Sequence, residues 1–151
     1  MTMPFIENLG QKDPQVAYYA QTLGGTLFVT RDGGMVYALP SQVLSEKAVA
    51  RAAGQPVTGQ ARSGTGVSIF HGDLSLPEVP AYDEISVGEI SPGVVLRLKA
   101  YGGRVEKFFH VAPQADPASI RMRVDGAESL SVTPDGSLAA TKAGAGGVRF
   151  S

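Results

Sequence analysis

The stretch VVLRLKAYGGRVEKFFHV, residues 94–111, decides the fold because it reads as two strands joined by a Gly102-Gly103 loop. A two-residue glycine loop supplies the positive φ values of a primed turn, and the twist of such a turn matches that of its flanking strands. The loop therefore predicts an antiparallel hairpin with a single register. Counted outward from the loop, the opposed pairs are Tyr101 and Arg104, Lys99 and Glu106, and Arg97 and Phe108.

The two faces of this hairpin differ in polarity. Side chains alternate between the faces along each strand, and the register collects the apolar ones on one face. They are Val94, Leu96, Leu98, Ala100, Val105, Phe109 and Val111. Lys107 is the exception on this face. We interpret it as an edge lysine, whose stem lies on apolar surface while its ammonium reaches water and discourages strand-to-strand aggregation.

Similar patterns flank the hairpin on both sides. Segments 16–20, 26–30 and 35–39 have strand character and are separated by short glycine turns, which predicts an antiparallel meander. With 19 Gly and 10 Pro in 151 residues, the chain predicts one all-β domain over residues 1–151, an antiparallel β-sandwich of short strands. Beyond the Asp116-Pro117 turn, residues 120–124 alternate between apolar and basic side chains, which predicts a further strand. The expected core includes Leu96, Leu98, Phe109, Ile120, Met122 and Val124.

Residues 41–66 interrupt this rhythm of short strands. Ser41 or Ser45 can cap a short helix that runs through Ala-rich sequence to Ala53, and Gly54 would end it. The apolar stripe of that helix is weak, so a long loop is the alternative for the whole segment. Residues 55–66, which contain glycine and small polar side chains, predict a flexible loop.

Charge and cysteine content argue against several classes of function. A net charge of −1 gives no electrostatic footprint for nucleic acid, so we expect no such partner. The absence of cysteine excludes disulfides and thiolate metal sites, and two histidines leave few zinc ligands, so we expect no metal or cofactor. No apolar run reaches the roughly 20 residues of a membrane span.

Residues 1–10 lack the basic start and apolar core of a signal peptide. Either the protein is cytoplasmic or this sequence is a piece of a longer exported chain. The strand-like end, Val148 to Ser151, favours the second interpretation. We expect this terminal strand to be an interaction edge that pairs with another chain or module, formed by Val148, Arg149, Phe150 and Ser151.

The acidic residues of the chain predict local structure before chemistry. Glycoside hydrolysis needs paired carboxylates, and Asp83, Glu84 and Glu89 form the densest acidic cluster. A solvated loop is the favoured interpretation of that cluster. Other aspartates precede a glycine in a turn, where a carboxylate caps local amides rather than binding calcium. These are Asp32, Asp125 and Asp135.

No catalytic residue is predicted. His71 and His110 are the only imidazoles, and the sequence around Ser68 lacks the closing glycine of a nucleophile elbow. A hydrolase that uses Asp83, Glu84 or a histidine is therefore the least favoured function. A carbohydrate-binding β-sandwich is the main alternative to a structural module, because tyrosine and arginine side chains can stack on a sugar. Its predicted contacts are Arg97, Tyr101 and Arg121.

Two parts of the chain resemble a known family. Residues 7–11 (ENLGQ), followed by 16–20 and 27–33, resemble the opening of the N-terminal module of large bacterial secreted proteins that carry SBBP-type β-propeller repeats. Residues 105–117 (VEKFFHVAPQADP) and 135–138 (DGSL), with Ile120 and Gly126-Ala127 between them, are similar to a later signature of that module. The resemblance implies an extracellular or cell-surface module with no catalytic residues to carry over. We therefore expect a non-enzymatic structural or adhesive module that docks to neighbouring modules or to a surface protein.

Overall fold

A computed structural model of the chain describes residues 2–127, 129–132, 134, 138–141 and 148–150. These residues form an all-β, sandwich-like fold, with one 3-10 turn at Pro117–Ser119. None of the described helical structure has the length and hydrophobicity that a membrane crossing requires. The strands are β1 (Thr2–Met3), β2 (Phe5–Glu7), β3 (Val16–Thr22), β4 (Gly25–Thr30), β5 (Met35–Ala38), β6 (Val43–Ala48), β7 (Thr58–Arg62), β8 (Val67–His71), β9 (Leu74–Val79), β10 (Ala81–Ser91), β11 (Val94–Tyr101), β12 (Val105–Val111), β13 (Met122–Asp125), β14 (Ser129–Val132), β15 (Leu138–Thr141) and β16 (Val148–Phe150).

Eleven of these strands form one continuous antiparallel sheet. Its order is β1-β11-β10-β2-β3-β4-β5-β6-β13, with β12 added beside β11 and β7 added beside β10. Strands β3, β4 and β5 form the predicted meander. Strands β8 and β9 pair with each other as a separate hairpin. Strands β14, β15 and β16 form a three-stranded antiparallel sheet with β15 in the centre.

The large sheet folds back on itself and encloses the core. Lys107 of β12 contacts Glu46 of β6, although these strands lie far apart in the strand order. Apolar side chains from both halves of the chain pack between the two layers. The largest fully buried ones include Phe5, Leu27, Met35, Leu44, Ile85, Ile90, Leu96 and Leu98.

Strands β1 and β2 fill the open end of the β10–β11 hairpin. Strands β10 and β11 pair with each other from Ile85 and Leu98 up to their connecting turn. Beyond these residues, each of the two strands pairs with a different N-terminal strand. Strand β1 pairs with the end of β11, where Met3 lies opposite Ala100. Strand β2 pairs with the start of β10, where Phe5 lies opposite Tyr82. Strand β10 therefore connects β11 and β12 to the part of the sheet that runs from β2 to β6.

The predicted register of the central hairpin is confirmed. Lys99 lies opposite Glu106, and Arg97 lies opposite Phe108. The register holds although neither glycine of the loop has a positive φ, so the loop is not the primed turn that the sequence suggested. Strand alternation, which places the apolar side chains of β11 in the core, is sufficient to fix the pairing.

The predicted core is confirmed in part. Leu96 and Leu98 are fully buried, whereas 38% of Phe109 is exposed. Phe109 belongs to the last three residues of β12, which are all exposed, so the core does not extend to this end of the strand. Its placement in the core was wrong. Ile120 and Met122 are half-buried against the core, and Val124 is half-buried on the next strand.

The helix predicted from residue 41 or 45 to 53 is wrong. Val43–Ala48 is strand β6, in which Leu44, Glu46 and Ala48 point inward. A glutamate among the inward positions hides the strand period in the sequence. The segment predicted as a flexible loop, residues 55–66, contains strand β7, which pairs with β10.

Two side chains tie the connection between β6 and β7 to the sheet. The Nε of Arg51 donates to the carbonyl of Val87 at 2.9 Å, and its Nη2 donates to the carbonyl of Gln55 at 2.7 Å. The amide of Gln55 bonds the backbone of Glu89 twice, donating to its oxygen at 2.8 Å and accepting from its nitrogen at 2.9 Å. The two bonds match those that a neighbouring strand would make with the backbone of β10 at Glu89.

The interpretation of Lys107 as an edge lysine is also wrong. Its Nζ lies 2.9 Å from Oε2 of Glu46, and the two side chains are only 13% and 5% exposed. The hydroxyl of Tyr37 donates to the same carboxylate oxygen at 3.4 Å. Strand β12 thus presents its lysine to the interior, because β6 supplies a buried carboxylate there.

Candidate functional site

A groove crosses the outer face of β3, β4, β5 and β6. The register places one residue of each strand in a row across the sheet, because opposed residues point to the same face. Phe28 lies opposite Val36, Val36 lies opposite Ser45, and Ser45 lies opposite Asp125 of β13. On the other side, Tyr19 lies opposite Phe28. Tyr19 is only 3% exposed, so the solvent-facing part of the row begins at Phe28 and combines apolar and polar side chains outside the core.

Two adjoining cavities, of about 550 and 370 Å³, lie along this row and share Gln15, Thr30 and Val36. We call them together the cross-strand groove. Apolar residues Val16, Phe28 and Val36 contribute to its lining. The polar and charged residues of its lining include Lys12, Asp13, Gln15, Arg31, Asp32, Ser45, Lys47 and Asp125.

The charges at one end of the groove compensate each other. Oδ2 of Asp32 lies 2.9 Å from Nζ of Lys47. The hydroxyl of Thr30 and the backbone N–H of Gly34 both donate to Oδ1 of Asp32. The bond from Thr30, followed by that from Lys47, lowers the pKa of Asp32 from 3.8 to about 2. The aspartate caps its turn as the sequence predicted.

Two substitutions separate these causes. Thr30→Val should raise the pKa of Asp32 more than Lys47→Met does, because the hydroxyl bond is the larger cause. A carboxyl-detected NMR titration of each variant measures this order. Because folding depresses this pKa, Asp32 stabilises the fold above its unfolded pKa, and that stabilisation is lost as the pH falls from about 4 to about 2. Asp32→Asn should remove that pH dependence; an equal dependence in this variant would contradict the assignment.

The other end of the groove borders the ENLGQ segment, residues 7–11. The Asn8 side chain of this segment fixes the connection between β2 and β3, and we call this arrangement the Asn8 clasp. Asn8 is 6% exposed, and its Nδ2 donates to the carbonyls of Asp13 at 2.8 Å and Val16 at 2.9 Å. Its Oδ1 accepts from the N–H groups of Gly10 at 3.1 Å and Lys12 at 3.0 Å. One side chain thus holds the whole connection between β2 and β3, which carries part of the groove lining.

The acidic cluster of the sequence lies on strand β10 and not on a solvated loop. Glu84 lies between two basic side chains, 3.7 Å from Arg97 and 3.9 Å from Lys99. Glu89 accepts a bond from the backbone N–H of Gly93 at 2.9 Å and so caps the turn to β11. Asp83 precedes Glu84 on β10, where the pairing with β7 is irregular. Glu84 and Glu89 lie five residues apart on this strand, roughly 16 Å at about 3.3 Å per residue, so they do not form a carboxylate pair.

The two histidines and Ser68, which a hydrolytic triad would need, contribute no catalytic arrangement either. His71 and His110 are exposed on β8 and β12, and the hydroxyl of Ser68 donates to the carbonyl of Pro77. Within the described ranges, no three His, Cys, Asp or Glu residues form a cluster that could hold a metal ion.

Two of the three predicted sugar contacts lie on one face of the sheet. Arg97 and Tyr101 share the polar face of β11. Arg121 precedes β13, and its guanidinium donates to the carbonyls of Ala118 and Ile120. Their role in sugar binding stays a prediction.

The predicted interaction edge lies in the three-stranded sheet. Its residues Val148 to Phe150 form β16, which pairs with β15 at the end of the described strand order. Ser151 lies outside the described residues, as does Asp135, one of the predicted turn caps. Among the other two predicted caps, Asp125 forms an ion pair with Arg123 at 3.1 Å.

Sequence reasoning missed the cross-strand groove. Phe28 and Val36 alternate with the buried residues Leu27, Val29 and Met35, so an apolar residue at an outward position was the available signal. The pairing of β6 with β13, which adds Asp125 to the row, carries no local signature.

The fold and the groove define an all-β, sandwich-like domain with a side-chain-lined surface groove. The chain belongs to the DUF7948 family, a domain of unknown function, which matches residues 5–148. No curated protein and no solved structure matches the chain.

Proposed function

We propose that the domain is a non-catalytic structural or adhesive module of an extracellular or cell-surface bacterial protein. It docks to neighbouring modules or to a partner protein. The observation that carries this proposal is the position of β16, Val148 to Phe150, at the edge of a three-stranded sheet. The resemblance of residues 7–11 and 105–117 to a module of secreted bacterial proteins supports the location.

Strand edges are suited to such docking because their outer N–H and C=O groups can pair with a strand from another chain. Within the described part of the chain, β16 pairs with β15 alone. Several polar side chains of the domain stabilise its own structure. Glu89, a member of the acidic cluster, accepts from a backbone N–H, and Asn8 and Gln55 also bind backbone groups.

The test compares this chain with one extended beyond Ser151. The extension should raise the melting temperature and protect the amides of β16 from hydrogen exchange, because an added strand or docked module pairs with that edge. Two results together would contradict the proposal. The extension would change neither stability nor association, and the domain alone would hydrolyse a glycoside or ester. The controls for that activity are Glu84→Gln and His110→Ala, which should then abolish it.

Carbohydrate binding is the second candidate function. The cross-strand groove favours it, because an aromatic side chain, Phe28, lies there among polar groups at Gln15 and Asp125. A hydrolase is the third candidate and has the weakest support, since Glu84 lies between Arg97 and Lys99.

A further inference from the structure

We propose that the cross-strand groove binds a neutral oligosaccharide that lies across strands β4, β5, β6 and β13. This inference rests on the carbohydrate-binding candidate and is independent of docking through β16. Its ligand is recognised by side chains on a sheet face, whereas the docking proposal concerns backbone groups at a sheet edge.

The apolar floor of the groove fits the C–H face of a sugar ring. Phe28 is half-buried and points away from the core, and Val36 lies opposite it on the next strand. The ring of Tyr19 lies 6.4 Å from that of Phe28, centroid to centroid, and Nζ of Lys12 lies 5.1 Å from the Tyr19 centroid. Phe28 is therefore supported by packed neighbours, and a supported ring loses little conformational entropy when it binds a ligand.

The charges that line the groove indicate a neutral ligand. The lining contains the basic residues Lys12, Arg31 and Lys47 and the acidic residues Asp13, Asp32 and Asp125, three of each sign. Glu46 also borders the groove, but its side chain points to the interior, where its carboxylate is paired with Lys107 at 2.9 Å. Such a surface offers hydrogen-bond donors and acceptors in balance and attracts no ion of either sign. Hydroxyl groups, which both donate and accept, match it.

The backbone beneath the groove disfavours a peptide. Each of β3, β4, β5 and β6 has a paired strand on both sides, so its ladder is complete. An extended peptide is usually captured through backbone hydrogen bonds at an open edge. The row from Phe28 to Asp125 crosses four strands. At about 4.8 Å between strands it spans roughly 14 Å, which suits an oligosaccharide better than a single ring.

The test uses an array of neutral glucans, mannans, galactans and xylans, with uronate-containing and sulfated glycans beside them. Titration calorimetry of the intact chain with the strongest neutral oligosaccharide follows. Phe28→Ala should weaken binding by about tenfold or more, since it removes the aromatic contact. Gln15→Ala changes an exposed rim residue and should weaken binding without changing the melting temperature. Phe70→Ala, which removes another exposed aromatic ring on β8, is the matched control and should bind normally.

Three results would overturn the assignment. They are no binding to any neutral glycan, binding that is unchanged in both Phe28→Ala and Gln15→Ala, and a preference for charged glycans or for extended peptides. If Phe28→Ala unfolds, Gln15→Ala and Asp125→Asn decide the matter. These variants leave β16 intact, so failure here is distinguishable from failure of docking, which the extended chain reports.

Discussion

Replacement of either member of the Glu46–Lys107 ion pair should lower the free energy of unfolding by about 3–5 kcal/mol. Both side chains are almost completely removed from water, so loss of one removes the counter-charge 2.9 Å from the other. Tyr37 belongs to the same cluster. Its burial, and then the nearby carboxylate of Glu46, hold the pKa of Tyr37 well above its usual value. Urea unfolding of Glu46→Leu and Lys107→Met, followed by circular dichroism, measures the loss.

The double variant and an exposed ion pair are the controls for this prediction. Combined Glu46→Leu and Lys107→Met should recover most of the loss, because apolar replacement of a buried pair is often neutral. Asp32 and Lys47 lie at the same distance, 2.9 Å, but are 64% and 52% exposed. Lys47→Met should therefore cost less than about 1 kcal/mol. If Glu46→Leu lowers the free energy of unfolding no more than Lys47→Met does, the buried pair contributes no more to stability than the exposed one.

The second large effect is expected at Asn8. Asn8→Ala should cost about 2–4 kcal/mol, because it removes the partners of several backbone groups at once. The carbonyl of Val16 and the N–H of Lys12 are among these groups. Alanine also leaves space that water or a collapsed loop must fill. The free energy of unfolding measured in urea reports the cost.

Asn8→Asp separates the two halves of this clasp. Aspartate keeps the acceptor toward Gly10 and Lys12, but it loses the donor toward Asp13 and Val16 and points a charge at their carbonyls. It should destabilise the fold at least as much as alanine at neutral pH and should recover on acidification, when the carboxyl becomes a donor. An Asn8→Asp variant with wild-type stability at neutral pH would show that the donated bonds contribute little.

The sequence was sufficient for the parts of the fold that depend on local alternation. The 94–111 hairpin could be paired from its loop outward, and the meander of β3 to β5 from its short turns. Alternation failed at β6, where the inward row contains Glu46 and the surrounding residues are rich in alanine. It also placed Phe109 in the core, because a face that is apolar in one hairpin need not be covered by the rest of the chain.

The candidate site was less accessible to sequence reasoning. Its row takes Phe28, Val36, Ser45 and Asp125 from four strands, and the last of these pairs with β6 across a long sequence separation. A buried carboxylate that receives Lys107 also depends on this tertiary arrangement. Local patterns predict which way a side chain points, but they do not predict which strand lies next to it.

The insertion of β1 and β2 into the β10–β11 hairpin has a consequence for folding kinetics. Thr2 pairs with Tyr101, so this ladder joins residues that lie far apart in the sequence, with strands β2 to β10 between them. Contacts of such long sequence separation slow folding, because a large loop must close before they form. We therefore expect β1 and β2 to pair late in folding, and the backbone at the open end of the hairpin to stay unpaired until they do. A chain whose order is permuted to bring residues 2–7 next to residue 101 should fold faster at similar stability.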